Sequence, residues 1–500
     1  MLDLLSLPEV ALVREIAQAR GVSLILVGGA VRDALLDKPV HDLDFAVQGN
    51  AVAIARAIAN RLGAAFYLMD AERGTARVIV RCGGSQPSLH LDFAACRGAT
   101  WDEDLRGRDF TINAIALDIA DGAVLDPTGG LADVPHNLIR QVSPHAVSDD
   151  PVRALRAVRL ECALRGTLEP ATAATVSAAA PLLGVPSPER VRDELMKALA
   201  LPAAARAVRR LDALGLLARL VPEIEPMRDC TQSPPHHLAV LEHTFLVLDY
   251  VDEMLKHLTG LQDLSGLSNA GMPAWLRGLD IAEPQRAELT RQLWAETAND
   301  RLRVAVFRLA ALLHDIAKPA TRSVGADGRI HFYRHEEIGA AMAAARAAAL
   351  RLSGDEVEQV RATVRHHMRP NQMSREYGES GPSARAIYRF VNAAGACAPE
   401  LALFCVADGM GKAGAATPLE DADRRTAAAT TLIKAYYDRF SLAAAPRPLL
   451  SGADMLALGV KQGPRIGQIL GAVREAQMVR EIQTKAEALQ LARSLLGLDH

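Results

Sequence analysis

The stretch LVGGAVRDALLDKPVHDLDFAV, residues 26–47, decides how the first part of the chain folds. Ser23–Val27 reads as a strand, and Ala30–Leu36 as a helix opening just after Gly28 and Gly29. Two glycines between a strand and a helix N-terminus let backbone N–H groups approach a phosphate closely, helped by the helix dipole. Arg32 falls in the first helical turn. Asp42 and Asp44 follow at i and i+2 on the next strand, so both carboxylates point to one face. Two such carboxylates repel unless something positive sits between them, and a divalent pair, Mg²⁺ by its preference for oxygen, does this. Asp92, in SLHLDFAA (88–95), is a candidate third ligand from a neighbouring strand. A lone DxD is ordinarily a solvated turn and a lone GG is weaker still. Joined as GGAVRD–x8–DLD after a strand, the pattern is specific.

Outward from that core, residues 1–145 carry further strand-like runs: LDFAVQG (43–49), ARVIVRC (76–82) and AIALDIA (114–120). Together with the helical stretches between them they predict an α/β domain. From residue 146 strand signals nearly vanish, and alanine- and leucine-rich segments with helical spacing take over. Prolines at 222, 226, 234 and 235 mark a boundary, residues 257–300 read as an insertion, and AAAPRPLLSG (443–452) as a last break. The expected division is 1–145, 146–225, 226–442 and 443–500, with no internal repeat.

Composition sets limits. Five hundred residues exceed one ordinary core. No apolar run approaches the roughly 18 residues of a membrane span. The N-terminal twenty residues mix acids with apolar positions and lack a basic leader, so they read as an amphipathic helix. Six cysteines (Cys82, Cys96, Cys162, Cys230, Cys397 and Cys405) show no CxxC pair, which suits reduced thiols and a cytoplasmic protein. The net charge of −3 does not announce a nucleic-acid partner. From Arg140 to Arg219, however, twelve basic residues face eight acidic ones, a net of +4, which suits either RNA phosphates or a plain solvated helical surface.

The 26–47 segment resembles the signature of polymerase-beta-type nucleotidyltransferases, specifically bacterial CCA-adding enzymes and related poly(A) polymerases. Further segments match in order. DLRGRDFTINAIALDI (104–119) resembles the family's RRDFTINA motif, with Gly107 where an arginine often stands. The resemblance implies that Arg108 contacts the triphosphate and that Asp109, with Asn113 nearby, selects the ribose 2′-hydroxyl. Read alone, Asp109 and Asn113 would pass as capping residues. LDPTGGLADVPHNLIR (125–140) resembles the family's connection from head to neck. DDPVRALRAVRLE (149–161) resembles its EDxxR motif, with Asp149 replacing glutamate. By that resemblance Asp150 and Arg153, three apart on one expected helix face, read the Watson–Crick edge of the incoming base. A carboxylate accepts from exocyclic amines, and a guanidinium donates to ring nitrogens and carbonyls. The plain alternative is an i,i+3 ion pair. SPERVRDEL (187–195) resembles the next motif, with Ser187 as N-cap, Pro188 at the first helical position and a Glu189–Arg192 pair as support. Arg156, Arg159, Arg190, Arg206, Arg209 and Arg210 are candidates for the tRNA backbone, and Arg156 and Arg159 also for the nucleotide. Residues 449–496 resemble the family's tail, whose Gly452, Asp454, Gly459, Gly463, Pro464 and Gly467 suit tight turns, with docking of tRNA implied.

A second constellation spans 236–412: His243, His314-Asp315, His335, His366-His367 and Asp408. It resembles the HD phosphohydrolase family, in which such residues bind divalent metals; imidazole with carboxylate suits Mn, Fe, Ni, Co or Zn better than Ca, and the expected cofactor is Ni²⁺, Mn²⁺ or Co²⁺. Lys318 would meet a phosphate. A single buried histidine is ordinarily a satisfied core residue; five in this order are not.

The implied fold is an α/β nucleotidyltransferase head followed by all-α neck, HD and tail domains, α+β overall and mostly helical. The implied activity is CTP- and ATP-dependent, Mg²⁺-assisted addition of CCA to the 3′ end of tRNA. Close alternatives are A-only, CC-only or poly(A) addition. From other classes come an HD-type hydrolase with an RNA-binding head, and a non-catalytic RNA-binding protein.

Overall fold

A computed structural model describes residues 2–40, 42–81, 89–259, 273–298, 300–376, 381–413, 416–441 and 446–497. Cys82, and the parts of the 257–300 insertion and the 443–452 break that fall at 260–272, 299 and 443–445, lie outside the described residues. The chain forms two compact units, residues 1–194 with 210–219, and residues 195–209 with 220–500.

The first unit is built on a seven-stranded sheet of β1 (Ser23–Val27), β2 (Asp42–Gln48), β3 (Ala65–Asp70), β4 (Thr75–Val80), β5 (Leu89–Ala95), β6 (Ala116–Asp118) and β7 (Val124–Leu125). Their order is β3-β4-β5-β2-β1-β6-β7. Only β2 and β5 run parallel; the remaining neighbours are antiparallel. The central strands bury Leu24, Ile25, Leu26, Leu43, Phe45 and Phe93. Helices Pro8–Arg20 and Ala51–Leu62 present Val10, Val13, Ile54 and Ile58 to the core, as the apolar spacing of the N-terminus predicts. Strand β3 escapes the sequence reading because it is an edge strand: Tyr67, Leu68 and Met69 are all exposed, so no in–out alternation is written into it.

The second unit is helical, around the fully buried Leu309, Leu312 and Leu313 of Arg303–Leu313 and the apolar helix Ala398–Ala413. One expectation needs correcting. Residues 384–413 contain an 18-residue window as apolar as a membrane span, but 78% of that window is buried inside the fold. The helices Ala384–Ala394 and Ala398–Ala413 are separated by Gly395, at φ +56°, and serve as core. The described part of the insertion packs into the unit, with Trp275 edge-on to Tyr250 and with Leu289 and Leu293 buried. A C-terminal cluster of Leu450, Met455, Ile469, Val473 and Ala488 joins the last three helices. There Gly459 turns at φ +84°, whereas Gly467 lies inside the helix Pro464–Met478 and turns nothing.

Candidate functional site

In the first unit the strand–turn–helix forms where expected. Gly28 has φ +76°, and a Cβ there would lie 3.3 Å from Asp44 Oδ2, so backbone and carboxylate approach as only glycine permits. The helix begins at Gly29 (Gly29–Leu35) and buries Arg32, which donates to Asn113 Oδ1 at 2.7 Å and to Asp33 at 2.9 Å. Parallel pairing of β2 with β5 sets Asp44 beside Asp92 and Asp42 beside His90. Opposite Asp92 on β4 stands Arg77, which donates to both Asp92 oxygens at 2.8 Å. The result is a row of charge across one sheet face.

Burial, then Asp92 and then Asp42, push Asp44 up to about 6, only partly opposed by Arg108 and Arg77. Divalent cations would relieve that repulsion. The head carboxylates are not among the described trios whose ligand atoms all lie within 4.8 Å of one another. Arg77 occupies both oxygens of Asp92, and a triphosphate brings oxygen ligands of its own. Sequence reading missed Arg77 and His90, because cross-strand partners fifteen and forty-eight positions away carry no local spacing signal.

Behind this row Asp109 is buried. Its Oδ1 accepts from Phe110 N–H and Asn113, and its Oδ2 from Arg156 at 3.1 Å. Burial alone would raise its carboxyl, but Arg156 and these donors hold it below the usual range. Asn113 therefore bridges Arg32 and Asp109. Arg108 is held by Asp104 at 2.9 Å.

Asp150 differs from expectation. It precedes the helix Val152–Ala163, at φ −142° and ψ 89°, since Pro151 after it disfavours helical backbone. Arg153 lies 3.8 Å away and spends its Nη atoms on the carbonyls of Gly107, Arg108 and Ala146. The shorter contact to Asp150 is from Arg190, at 2.6 Å. Glu194, not singled out from sequence, receives Arg156 at 3.1 Å and Arg159 at 2.8 Å, so the helix Pro188–Leu199 braces the helix bearing them. In that motif Arg192 pairs with Asp193. Arg209 and Arg210 also hold carboxylates, of Asp249 and Glu161. Five of the six arginines expected on RNA thus have internal ion pairs.

In the second unit two trios form: His243, His314 and Asp408, and Asp315, His335 and His367. All six residues are buried. Each histidine sets Nδ1 on a backbone carbonyl, of Gly411, Ala311, Phe332 and Val364, at 2.7–3.0 Å. That arrangement fixes the tautomer and turns every Nε2 inward. Asp315 joins the trios: its Oδ2 is 3.0 Å from His314 Nε2, and its Oδ1 is 3.5 Å from His335 Nε2 and 3.9 Å from His367 Nε2. His243 Nε2 lies 3.3 Å from Asp408 Oδ1, so the inward nitrogens and carboxylate oxygens of both trios converge, as the donors of a cation site do.

Burial opposes charge on Asp315 and Asp408, yet both stay well below the usual range through His314 and Lys318 for the first and through Lys412 and His243 for the second. Lys318 lies 2.7 Å from Asp315, and Asp408 Oδ2 is held by Lys412 at 3.0 Å and Asn371 at 2.8 Å. Asn371 and Lys412 were not foreseen, although Lys412 repeats one turn after Asp408 what Lys318 does after Asp315. His366 is a correction: it is half-buried outside both trios, because one residue of helical rotation turns it away from the centre that His367 enters.

Residues 24–140 match the poly A polymerase head domain, 167–228 the probable RNA and SrmB-binding site of polymerase A, and 285–410 the HD domain. An A-adding tRNA nucleotidyltransferase of Deinococcus radiodurans is 34% identical over 93% of both chains. A CC-adding tRNA nucleotidyltransferase of Geobacter sulfurreducens is 30% identical over 98% of this chain and 95% of its own. The fold is similar to that of a Thermotoga maritima CCA-adding enzyme complexed with tRNA, at 20% identity, with a TM-score of 0.53 over 97% of this chain and 94% of that one. With two relatives of this identity aligned almost end to end, and the glycine turn and carboxylate row in place, the chain belongs to the tRNA nucleotidyltransferase family.

Proposed function

We propose that this enzyme adds CCA, or part of it, to the 3′ end of tRNA, using CTP and ATP and two Mg²⁺ ions held by Asp42 and Asp44. The observation that carries this reading is the carboxylate row of β2 and β5 beside the Gly28 turn. When bound, the ions offset the triphosphate charge and acidify the attacking 3′-hydroxyl. Gly28 and Gly29 offer backbone N–H groups to phosphate, with Arg32 and Arg108 supplying positive charge. Asp92 is the third carboxylate, oriented by Arg77. Asp109, kept ionised by Arg156 and Asn113, accepts from the ribose 2′-hydroxyl. Asp150 and Arg153 read the base edge, while Arg156 and Arg159, locked by Glu194, hold that helix in register. The four-part division into head (1–145), neck (146–225), HD domain (226–442) and tail (443–500) belongs to this reading, as does action in the cytoplasm, where thiols stay reduced.

Relatives that add A and relatives that add CC leave the extent of addition to experiment. Purified enzyme is given tRNA ending at the discriminator base, at CC and at CCA, with each NTP in turn. Incorporation of CTP and ATP and rejection of UTP and GTP is expected; no incorporation on any primer overturns the reading.

A second reading is favoured by the inward Nε2 atoms and the bridging Asp315. The HD domain binds Ni²⁺, Mn²⁺ or Co²⁺ and hydrolyses phosphomonoesters or 2′,3′-cyclic phosphates, an activity suited to trimming damaged RNA ends before rebuilding. Hydrolysis lost on His314→Ala with Asp315→Ala is expected; a wild type that binds none of these metals and hydrolyses nothing overturns it.

A further inference from the structure

Beside the histidine–aspartate centre a short hairpin, Arg322–Val324 paired with Ile330–Phe332, stands on the surface. It is pinned to the segment that precedes His243. Ile330 N–H donates to Ser233 Oγ at 2.7 Å, Arg329 to the Pro234 carbonyl at 3.1 Å and Arg322 to Thr231 Oγ1 at 3.5 Å. The same segment reaches the centre directly, because Gln232 accepts from Lys318 at 2.6 Å. Hairpin and segment together form a braced lip.

The lip has two faces. Inward, the Phe332 ring lies 5.3 Å from the Lys318 ammonium, and the Phe332 carbonyl holds His335 Nδ1 at 2.8 Å. On the other side His331 and Tyr333 are stacked, ring centroids 5.3 Å apart and planes within 12°. Tyr333 is 69% exposed, and among the described residues the ring contact it makes is the stacking on His331. Arg322 and Arg329 are exposed on the same hairpin and, among the described residues, neither is paired with a carboxylate. Asp327 in the hairpin's turn is the nearby acid, and it accepts from the Arg329 backbone N–H. A flat aromatic pair flanked by guanidinium groups outside any ion pair is a combination that binds single-stranded nucleic acid: bases stack on the rings and phosphates meet the cations. Tyr333 and His335 are two residues apart, so their Cα atoms lie within about 7.6 Å. A strand that passes over the lip from a phosphate at the centre therefore reaches the platform within a few nucleotides.

We propose that residues 322–333 form a stacking platform for the last unpaired nucleotides of an RNA whose terminal phosphate enters the histidine–aspartate centre. The substrate class is therefore an oligonucleotide end rather than a free mononucleotide. This rests on the phosphohydrolase reading of the HD domain and assigns its specificity.

The test uses the full chain loaded with Ni²⁺ and two substrates, adenosine 2′,3′-cyclic phosphate and a hexanucleotide ending in a 2′,3′-cyclic phosphate. Tyr333→Ala and His331→Ala should each raise KM for the hexanucleotide roughly tenfold, from the loss of one stacked base, and leave mononucleotide hydrolysis unchanged. Independently, Tyr333→Trp should show fluorescence quenched by the hexanucleotide and not by the mononucleotide at equal concentration. Equal effects on both substrates, or no effect on either together with no quenching, overturn the platform. If the wild type hydrolyses neither substrate but quenching by the hexanucleotide persists, the phosphohydrolase reading fails and the platform stands. Absence of both hydrolysis and quenching defeats both.

Discussion

Two groups of aspartates in this chain meet burial with opposite results. On the head sheet Asp44 is pushed up to about 6, because after burial its strongest neighbour is another carboxylate, Asp92, whose own oxygens are taken by Arg77. In the helical unit Asp315 and Asp408 are more deeply buried still, yet both lie well below the ordinary range, because Lys318, Lys412 and inward-facing histidines surround them. Strand neighbours at fixed register can place only what the adjacent strand carries, and beside Asp44 that is Asp92. Helices meeting at one point bring a base for every acid. The head is thus short of positive charge, whereas the HD centre has a lysine beside each of its buried aspartates.

The sharpest way to break this comparison is to remove each set of acids in turn. Asp42→Ala or Asp44→Ala should lower nucleotide addition by about three orders of magnitude or more, since metal-borne charge supplies much of the transition-state stabilisation. Hydrolysis at the HD centre should be unchanged. His314→Ala with Asp315→Ala should do the reverse. Single-turnover incorporation and phosphodiesterase rates on the same preparations decide it. A variant lacking Asp42 that keeps more than a few per cent of its addition activity would place the chemistry elsewhere.

The two sites should also differ in how they hold metal. Asp315 directs one oxygen toward each trio, so the HD centre should retain transition metal through exhaustive dialysis while the head loses its Mg²⁺. Stripping the metal with a chelator should lower the unfolding temperature. A ligand present at a hundred times its Kd stabilises by about 2.7 kcal/mol, several degrees for a domain of this size. His335→Ala should reduce the bound metal without affecting addition. Metal analysis of dialysed wild type showing nothing bound would make the trios a structural remnant.

These differences bear on what a sequence can disclose. The Gly28–Gly29 turn, the Asp42/Asp44 parity and the His314-Asp315 dyad were legible because each is set within a few residues, by helix or strand periodicity. What joins distant segments was not. Arg77 meets Asp92 through sheet register, and Glu194 meets Arg156 and Arg159 through helix packing. Of the adjacent pair His366-His367, only the rotation of a helix end picks the one that faces the centre. Asp150 was placed on the wrong side of a helix boundary for a local reason, the Pro151 that follows it. The edge strand β3 was invisible because exposure erased its pattern.

Where that boundary correction matters, the expected effects are smaller. Asp150→Ala should relax the preference for CTP over UTP and for ATP over GTP by about 1–3 kcal/mol, the cost of leaving a polar base edge unmatched. Metal dependence should be unaffected. Unchanged nucleotide preference would return Asp150 to a plain ion pair.

The smallest effect separates the two guanidinium groups near Asp150. Arg190 makes the shorter contact, at 2.6 Å, but its side chain is 43% exposed, so solvent screens the pair and its direct worth is below about 1 kcal/mol. Arg153 lies 3.8 Å away but is anchored on three backbone carbonyls, which fixes its position independently of Asp150. If Asp150 is set by backbone geometry, through Pro151 and the adjoining helix, then Arg190→Ala should change nucleotide preference by less than about fivefold. Arg153→Ala should change it as much as Asp150→Ala does. Ratios of kcat/KM for the four nucleotides on one tRNA primer give the answer. An Arg190→Ala effect as large as that of Asp150→Ala would mean that the helix Pro188–Leu199 does more than brace its neighbour, and that Arg190 itself meets the base.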